Sequence, residues 1–350
     1  SAPFSLSQEE LQRIAEQFTG KKVIIIGDVM CDAYWWGQVN RISPEAPVQV
    51  VDIDDKEYRL GGAANVALNI QRLGGTPLLC SVIGRDQEAE TFQQLLAAEG
   101  ISHQYLIQAE GRPTTVKTRV MGERHQLLRM DSETKAPLSE AIRQKLLAAA
   151  KQLIQEADAV LFVDYDKGVL DAHTIQQVIQ WSREAGIPTA VDPKKRNFFA
   201  YQYATLFKPN LAELQNSLDV QLPYPVTQNQ MDEAVAYLHQ ELHHEIAFIT
   251  LSEQGVYISD QQRSYQLPAH LRTIYDVSGA GDTVISVATL ALAADCAIPV
   301  IAEMANLAGG LVCEEVGVAP IDRDKFFQEC LRAMVYQQST KLNVREDDTS

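Results

Sequence analysis

The sequence predicts an α/β fold, a three-layer sandwich in which a central, mostly parallel sheet lies between two layers of helices. Three features of the 350-residue chain predict it. From residue 139 onward, short apolar runs of strand length alternate with helical segments, which is typical of parallel sheets built from βαβ units. An earlier apolar run, residues 23–26, has the composition of a buried strand. Residues 34–60 and 103–131 show β-type alternation without a helical period, which predicts a small β-sheet inserted as a lid.

Length and composition indicate one large domain. The chain is 46% hydrophobic and 22% charged, which is sufficient for a substantial core. We assign residues 1–335 to this domain and residues 336–350 to a polar C-terminal tail, because the tail has few apolar residues to bury. The sequence has no uncharged apolar run of about 18 residues and no signal-peptide pattern at its start, so a cytoplasmic protein is expected.

Charge and cysteine usage narrow the kinds of site that are expected. The net charge of −16 opposes binding to nucleic acid and to anionic membranes, so neither is expected as a partner. It also repels phosphorylated ligands at long range, so a phosphate site must be built locally from helix N-termini, Mg²⁺ and a few basic side chains. Five scattered cysteines lack Cys-x-x-Cys spacing, which indicates reduced thiols and neither zinc ligands nor a disulfide framework: Cys31, Cys80, Cys296, Cys313 and Cys330.

The first predicted elements are a lead-in helix within residues 1–20 and the strand over residues 23–26. Gly27 and Asp28 follow that strand directly, and Asp32 comes four residues later. Ligands of open α/β sheets bind at the carboxyl ends of the strands, so both carboxylates are candidate ligand-binding groups. A purely structural role, in which Asp28 caps a turn, stays open.

A glycine-rich segment begins the next predicted helix. Residues 61–67 read Gly-Gly-Ala-Ala-Asn-Val-Ala, which by itself is a weak signal, because close helix packing also selects small side chains. The lid strands and the sheet edge contribute basic side chains that could bind a substrate phosphate, while ordinary solvation explains surface cations equally well. These cations are Lys117, Arg119, Arg129 and Lys194.

Four later strands end in polar residues that a parallel sheet would bring to one edge. One of these ends carries Asn-x-x-Glu, which is either a capped helix start or a pair that faces a metal ion and phosphates. The candidate residues at the four ends are Asp164, Lys167, Lys194, Asn210, Glu213, Thr250, Ser252 and Gly255.

Residues 277–283 read Val-Ser-Gly-Ala-Gly-Asp-Thr and precede a long apolar helix. Gly279, Ala280 and Gly281 lie where that helix begins, so their backbone N–H groups lack intrahelical partners and can bind a phosphate. A carboxylate repels a bound phosphate, so Asp282 is expected at this place only if it has a chemical role. Accepting the proton of an attacking hydroxyl, as an aspartate does in phosphoryl transfer, is such a role. The alternative is a turn followed by an acidic helix cap.

These motifs resemble those of the ribokinase-like, PfkB-type carbohydrate kinases. Residues 276–282 are similar to the family signature D-T-G-A-G-D, with Asp276 as the first acid and Ser278 as a loose match that keeps a hydroxyl. Residues 61–67 resemble the family's other glycine-rich motif. The resemblance implies a ribokinase-like fold, ATP and Mg²⁺ as cofactors, and a homodimer formed through the β-lid.

The resemblance also implies roles for individual residues. Asp282 would be the catalytic base, and the amides of residues 279–281 would form the anion hole. Glu213 would orient the Mg²⁺ shell, mostly through water, and Asn210 would face the phosphates. The sugar side would include Asp28, Asp32, Gly61, Gly62 and Asn65, and the nucleotide side would include Thr250, Ser252, Gly255 and Asn306.

Within the family, the sequence is most similar to the bacterial D-glycero-D-manno-heptose 7-phosphate kinases, which form the first domain of proteins that make ADP-heptose for lipopolysaccharide. Residues 41–48 are the most branch-specific stretch. The implied reaction is ATP-dependent phosphorylation of the anomeric hydroxyl of heptose 7-phosphate to heptose 1,7-bisphosphate. Cys31 departs from the usual leucine. The His-x-Gly-His motif of an adenylyl-transfer domain does not occur, so the kinase step alone is expected.

Three other functions remain as alternatives. A ribokinase-like kinase could act on fructose 6-phosphate, fructose or ribose, because sugar choice depends on a few pocket residues. A sugar-phosphate sensor without catalysis could use the same scaffold, although Asp282, Glu213 and Asn210 argue against it. A Rossmann dehydrogenase is disfavoured, because its G-x-G-x-x-G fingerprint should follow the first strand and Gly-Asp-Val-Met-Cys-Asp stands there instead.

Overall fold

The computed structural model of the protein describes residues 5–270, 279–314 and 319–335. The predicted tail at 336–350 lies outside these ranges, as do Asp276 and Ser278 of the glycine-rich signature. Within them the strands are β1 (Lys22–Gly27), β2 (Val29–Ile42), β3 (Gln49–Gly62), β4 (Thr76–Gly84), β5 (Leu106–Ala109), β6 (Val116–Gly122), β7 (His125–Ser132), β8 (Ala159–Val163), β9 (Thr189–Asp192), β10 (Leu206–Phe207), β11 (Ile246–Thr250), β12 (Val256–Ser259) and β13 (Ser264–Leu267).

The α-helices of the described residues are α1 (Gln8–Phe18), α2 (Ala63–Arg72), α3 (Gln87–Ala98), α4 (Glu140–Ile154), α5 (Ala172–Glu184), α6 (Leu211–Leu218), α7 (Gln228–Leu242), α8 (Ala280–Ala293), α9 (Ile298–Cys313) and α10 (Arg323–Cys330). Ser7 is the N-cap of α1, and its hydroxyl accepts a hydrogen bond from the backbone N–H of Glu10 at 3.1 Å. No described helix combines the length and hydropathy that crossing a bilayer requires.

The main sheet confirms the predicted α/β architecture. Its nine strands lie in the order β13-β12-β11-β10-β9-β8-β1-β4-β5. Neighbours from β5 to β11 are parallel, whereas β12 runs antiparallel to both β11 and β13. The carboxyl ends of the seven parallel strands therefore meet at one edge of the sheet, as the polar strand ends predicted.

Helices cover both faces of this sheet, and alternate residues of β1 show the division. Ile25 belongs to a core that includes residues of α1, α2, α8 and α9. Ile24 and Ile26 belong to the opposite core, with residues of α4, α5 and α7. Because successive side chains of a strand point to opposite faces, the fully apolar β1 is buried on both sides and forms the centre of a three-layer sandwich.

A second, four-stranded sheet has the order β3-β2-β6-β7 and corresponds to the predicted lid. Its bounds differ from those expected from sequence: β2 already begins at Val29, directly after β1, and residues 106–109 pair with β4 in the main sheet. The first part of the segment 103–131 thus lies in the main sheet, because the short run Leu106–Ala109 completes its edge.

The two faces of the lid differ in chemistry. Register pairs Asp32 with Arg59 and with Lys117, so that these charged side chains share one face. The other face carries Trp35, and Val120, its partner in register, is paired in turn with Leu128. We call the face that carries Asp32 the charged face and the face that carries Trp35, Val120 and Leu128 the apolar face, although Lys56 also lies on the latter, opposite Trp35.

Candidate functional site

Asp282 occupies the first turn of α8, at the end of the glycine-rich stretch. The helix is preceded by Gly279, whose φ of 76° lies in the left-handed region that glycine adopts without strain. The first N–H groups of a helix have no intrahelical acceptor, so the amides of Ala280, Gly281 and Asp282 have no acceptor within α8. A Cβ atom at Gly281 would meet no described atom within 4 Å, so none of the described residues packs against this position of the helix start.

Both carboxylate oxygens of Asp282 accept hydrogen bonds. The side-chain amide of Asn65 donates to Oδ2 at 2.9 Å, and the hydroxyl of Tyr165 donates to Oδ1 at 2.7 Å. Asp282 is only 6% exposed, and burial raises the pKa of its carboxyl to about 6, against the two hydrogen bonds, which lower it. The group is therefore ionised at neutral pH and is able to accept a proton.

Asp28 lies at the end of β1, as predicted, but its carboxylate is directed at the chain itself. It accepts hydrogen bonds from the backbone N–H groups of Tyr165 at 2.8 Å, Lys167 at 3.3 Å and Val169 at 3.3 Å. Burial, and to a lesser extent the nearby charge of Asp164, raises the pKa of Asp28 to about 6 against these three bonds. The structure thus gives Asp28 a loop-organising role, and its contact with a sugar stays a prediction.

Asp164 and Lys167 belong to the same loop after β8. The carboxylate of Asp164 accepts hydrogen bonds from the hydroxyl of Tyr201 at 2.7 Å and from the amide of Asn197 at 3.2 Å, and burial raises its pKa. The ammonium group of Lys167 lies 2.8 Å from Glu133. Both side chains therefore have partners within the protein. To contact a substrate as predicted, Asp164 and Lys167 would have to bind it in addition to these partners.

The glycine-rich start of α2 lies against Asp28 and Asp32, and the sugar-side role of all these residues stays a prediction. A Cβ atom at Gly61 would lie 2.4 Å from Oδ2 of Asp32, so only glycine allows that carboxylate to lie so close to the strand. Gly62 is the N-cap of α2, and Asn65 in the first turn bonds Asp282 as described. The structure brings these residues together from positions far apart in the sequence.

The predicted lid cations differ in their surroundings. Arg119 forms an ion pair with Asp32 at 3.0 Å, and Arg129 forms one with Asp131 at 3.1 Å on the exposed strand β7. Lys117 is paired in register with both Asp32 and Asp131. Arg119 and Lys117 therefore lie on the charged face beside Asp32, and Arg129 lies at its outer edge.

The nucleotide-side candidates form a second group along the sheet edge. Asn210 and Glu213 make a reciprocal capping box at the start of α6. The backbone nitrogen of Asn210 lies 2.9 Å from Oε1 of Glu213, and the backbone nitrogen of Glu213 lies 2.8 Å from Oδ1 of Asn210. The other oxygen of Glu213 lies 2.9 Å from the ammonium of Lys194. Burial lowers the pKa of Lys194, but the neighbouring carboxylates, chiefly Glu213 and then Asp192 and Asp282, together outweigh it, so that the pKa is raised overall.

The remaining nucleotide-side candidates lie next to these residues or beside the end of β13. Thr250 forms a β-bridge with Asn210. Ser252 and Gly255 bound the turn between β11 and β12, and Gly255 packs against the backbone of residues 267–269. Asn306 in α9 donates from its side-chain amide to the carbonyl of Pro268 at 2.9 Å, which places it next to Gly255.

Sequence reasoning did not single out three residues of this region. Tyr165 contacts Asp282 directly. The sequence signal that could have identified it was its position next to Asp164, just after β8. Lys208 is 3% exposed and lies 3.4 Å from the carboxylate of Asp192; it precedes Asn210 by two residues. Arg59 lies over the ring of Tyr34 at 4.6 Å, a placement that only the register of the lid reveals.

Comparison with known proteins identifies the family. The pfkB family carbohydrate kinase profile matches residues 20–324. A relative named Bifunctional protein HldE from Helicobacter pylori is 38% identical over 299 residues, which cover 85% of this chain and 64% of the relative. The protein of the same name from Magnetococcus marinus is 37% identical over 337 residues, which cover 95% of this chain and 68% of that one. The chain thus spans about two thirds of the length of these relatives.

Solved structures of low sequence identity share the fold. Phosphofructokinase-2 from Escherichia coli in complex with substrates and products superposes with a TM-score of 0.73 at 20% identity, over 90% of this chain and 99% of that one. Arabidopsis thaliana ribokinase, complexed with ribose and ATP, gives a TM-score of 0.69 at 16% identity, over 89% of this chain and 99% of that one. The match over residues 20–324, together with the relatives at 37–38% identity, establishes that the chain belongs to the pfkB family of carbohydrate kinases.

Proposed function

We propose that the chain catalyses the ATP-dependent phosphorylation of the anomeric hydroxyl of D-glycero-D-manno-heptose 7-phosphate to heptose 1,7-bisphosphate. One observation supports it above the others: a buried carboxylate, Asp282, is held by two hydrogen-bond donors in the first turn of α8. A base beside an anion-binding helix start is what transfer of a phosphoryl group to a hydroxyl requires. The heptose substrate is proposed from the sequence resemblance described above.

In the proposed reaction, Asp282 accepts the proton of the anomeric hydroxyl as that oxygen attacks the γ-phosphorus of ATP in line. The new bond joins the sugar oxygen to phosphorus, the bond between the γ-phosphorus and the bridging oxygen breaks, and ADP leaves with the electron pair. The backbone N–H groups of residues 279–282 stabilise the charge on the transferred group, because they are preorganised donors at the positive end of a helix dipole.

Mg²⁺ is part of the proposal, with Glu213 as the residue that would hold it. The described residues contain no cluster of three or more metal-binding side chains, which fits an ion that keeps several waters and uses the phosphates and few carboxylates. Glu213 is already bonded to Asn210 and Lys194, which agrees with contact mostly through water. The bound ion would neutralise phosphate charge.

The 7-phosphate of the sugar needs cations on the side away from ATP. We assign this role to the charged face of the lid, where Lys117 and Arg119 lie next to Asp32. The guanidinium of Arg119 is bound to one carboxylate at 3.0 Å and retains N–H donors for a phosphate oxygen. Arg129 and Lys194 remain further candidates, each already paired with one carboxylate.

We further propose that the protein supplies an ADP-heptose precursor of lipopolysaccharide in the cytoplasm, and that it works as a homodimer joined through the lid. The proposed dimer rests on the apolar lid face and on β7, all of whose residues are exposed. An edge strand without cover is a natural site for pairing between chains. Fold relatives do assemble, since one solved phosphofructokinase-2 is described as a tetrameric inhibited form.

The test is ADP release with Mg-ATP and a panel of heptose 7-phosphate, fructose 6-phosphate, fructose and ribose, with phosphorus NMR of the product. We expect a new anomeric phosphate on the heptose and little turnover of the other sugars. Preference for fructose 6-phosphate, fructose or ribose would keep the role of Asp282 and overturn the heptose assignment. Absence of turnover with every sugar would favour a non-catalytic sugar-phosphate sensor.

A further inference from the structure

Tyr165 contacts residues of both the proposed sugar side and the proposed nucleotide side of the candidate site. Its backbone N–H donates to Oδ2 of Asp28 at 2.8 Å, and its hydroxyl donates to Oδ1 of Asp282 at 2.7 Å. The ammonium of Lys194 lies 5.6 Å from the centre of its ring, and that ammonium in turn bonds Glu213. The phenol therefore lies between the proposed base and the proposed nucleotide side.

We propose that Tyr165 is a positioning residue for Asp282. The tyrosine hydroxyl orients the Asp282 carboxylate and keeps it ionised, while the Asn65 amide holds the other carboxylate oxygen. The inference rests on the proposed function, because it assigns to Tyr165 a part in the same reaction. Tyr165 itself is not assigned any contact with the reacting atoms.

The position of the phenol is fixed by its backbone. Asp28 accepts hydrogen bonds from three amides of the loop that carries Tyr165, and bonds of this kind to a carboxylate are stronger than neutral ones. The loop is thereby tied to the end of β1 before any ligand binds. A hydroxyl held this way does not have to be reorganised when the base accepts a proton.

The hydroxyl can act only as a donor to Asp282. Burial, and then the nearby carboxylate of Asp282, raises the pKa of Tyr165 well above its usual value, so the phenol keeps its proton throughout the working range. A carboxylate has about four lone-pair sites. Tyr165 and Asn65 use one on each oxygen, which leaves further sites for the hydroxyl of a substrate.

The charges around Asp282 come from several elements. Asp192 at the end of β9 raises the pKa of Asp282, and Lys208 after β10 lowers it, although both effects are smaller than those of burial and of the two hydrogen bonds. The negative charge of Asp282 also raises the pKa of Lys194, which follows β9. Among these neighbours only Asn65 and Tyr165 form direct hydrogen bonds to the carboxylate. Removing the tyrosine hydroxyl therefore deletes one of these bonds without changing any of the surrounding charges.

The experiment compares Tyr165→Phe with Tyr257→Phe as a matched control. Tyr257 is buried, whereas Tyr165 is half-buried. The Tyr257 hydroxyl donates to a carboxylate, Asp232, at the same distance of 2.7 Å, but at the interface of β12 and α7. Both changes delete one hydroxyl from one tyrosine–aspartate pair. kcat, KM for both substrates and the pH profile of kcat/KM are measured for the two variants and the parent.

For the parent we expect the acidic limb of the profile near pH 6, because turnover falls as the pH falls through the pKa of Asp282. Tyr165→Phe should move this limb up by about one pH unit and lower kcat by on the order of 10- to 100-fold, the effect of losing a hydrogen bond to a charged group. KM for ATP should stay within a few-fold, and part of the loss in kcat should be recovered at higher pH. Tyr257→Phe should leave the limb in place.

Coincident acidic limbs for Tyr165→Phe and the parent would overturn the inference, as would an equal shift in Tyr257→Phe. A second readout needs no turnover: the pKa of the Asp282 carboxyl, followed by carbon-13 NMR and assigned with Asp282→Asn, should be higher in Tyr165→Phe than in the parent. An unchanged carboxyl pKa would overturn the role of Tyr165 even in an active enzyme. A raised pKa in a protein that turns over no sugar would support this role and reject the proposed reaction.

Discussion

Asp282 shows how burial and hydrogen bonding oppose each other at one side chain. Burial alone would keep the carboxyl protonated, and a protonated carboxyl cannot accept a proton. Asn65 and Tyr165 stabilise the ionised form, and the balance leaves its pKa at about 6. A base whose pKa lies just below the working pH is ionised and still retains most of its basicity.

Asp282→Asn tests the proposed base directly. The amide keeps the shape of the side chain but cannot take up a proton, so kcat should fall on the order of 10²–10⁴-fold while ATP affinity changes little. Turnover and ATP binding are measured on the same preparation. The control is Asp322→Asn, a change at the N-cap of α10, which should preserve both because asparagine caps helices as well as aspartate. Turnover near that of the parent would reject the assignment.

His244 is the most unusual buried polar residue outside the site. It is fully buried, and neither ring nitrogen has a hydrogen-bond partner among the described residues. Burial, with smaller contributions from His239 and His243, lowers its pKa from 6.5 to about 4. The folded protein therefore holds this imidazole neutral over a range in which the unfolded chain protonates it.

The sign of the resulting pH effect follows from that difference. Because the pKa of His244 is lower in the folded state, its contribution to stability is complete above about pH 6.5 and is lost as the pH falls toward 4. Between about pH 7 and about pH 5 this amounts to roughly 2 kcal/mol. Asp28 and Asp282 act in the opposite direction, since their pKa values are raised to about 6 on folding.

His244→Leu should therefore change how the free energy of unfolding varies with pH. Between about pH 7 and about pH 5, the change in that free energy should favour the folded state by about 2 kcal/mol more in the variant than in the parent, measured by urea unfolding. His173→Leu, at an exposed position of α5, is the control and should follow the parent. Parallel pH dependences for His244→Leu and the parent would contradict the prediction.

At the scale of elements, α8 combines a structural and a proposed chemical task in its first turn. Gly281 illustrates the difference between them. A Cβ atom there would meet no described atom within 4 Å, and the residue has no positive φ, so nothing in the described part of the chain requires glycine at this position. Glycine matters there only if a ligand approaches the backbone.

Gly281→Ala should accordingly separate folding from activity. Alanine is the better helix former by about 1 kcal/mol, so the unfolding midpoint should stay or rise. A phosphate that approaches the amides would meet the new methyl group, and kcat/KM should fall at least about 10-fold. Thermal unfolding and turnover are compared for the same sample. Unchanged kcat/KM would show that no anion approaches this helix start.

The start of α6 also serves two purposes. Asn210 and Glu213 satisfy each other's backbone N–H groups in a capping box, which is sufficient reason for both residue types. The second oxygen of Glu213 nevertheless faces Lys194 and not solvent alone. The structural and the proposed metal-related interpretations of this motif are therefore compatible.

At the scale of the whole molecule, the lid leaves apolar surface uncovered. Leu128 is 55% exposed, Met130 41% and Ile53 39%. Register places Leu128 and Met130 on the face that also carries Trp35. Exposed apolar patches of this kind mark interaction sites in soluble proteins, and the proposed partner is a second copy of the chain.

Leu128→Glu should weaken the proposed dimer. A buried, unpaired carboxylate at the centre of an apolar interface is costly, so sedimentation at micromolar concentration should show a dimer for the parent and a monomer for the variant. The control is Val220→Glu, which adds the same charge at a position that is 41% exposed and lies outside the lid. A monomeric parent, or a variant that stays dimeric, would contradict the lid as the interface.

Much of the architecture could be predicted because its signals are local. The apolar run of β1, the alternation of strands and helices after residue 139 and the glycine-rich start of α8 are patterns within short windows, and each was confirmed in type and place. The assignment of residues 106–109 differed, because a four-residue strand pairs with whichever edge the chain brings near it. The residues of the candidate site were found mainly as polar strand ends.

The sequence by itself determined the α/β class, the two glycine-rich helix starts and membership of a carbohydrate kinase family, because hydrophobic period and motif spacing are properties of contiguous residues. Only the tertiary structure decided which side chains meet. Tyr165 and Asp282 are 117 positions apart and Asn65 and Asp282 are 217 apart. Their contact depends on the order of strands in the sheet, and no local pattern encodes the distance between two remote segments.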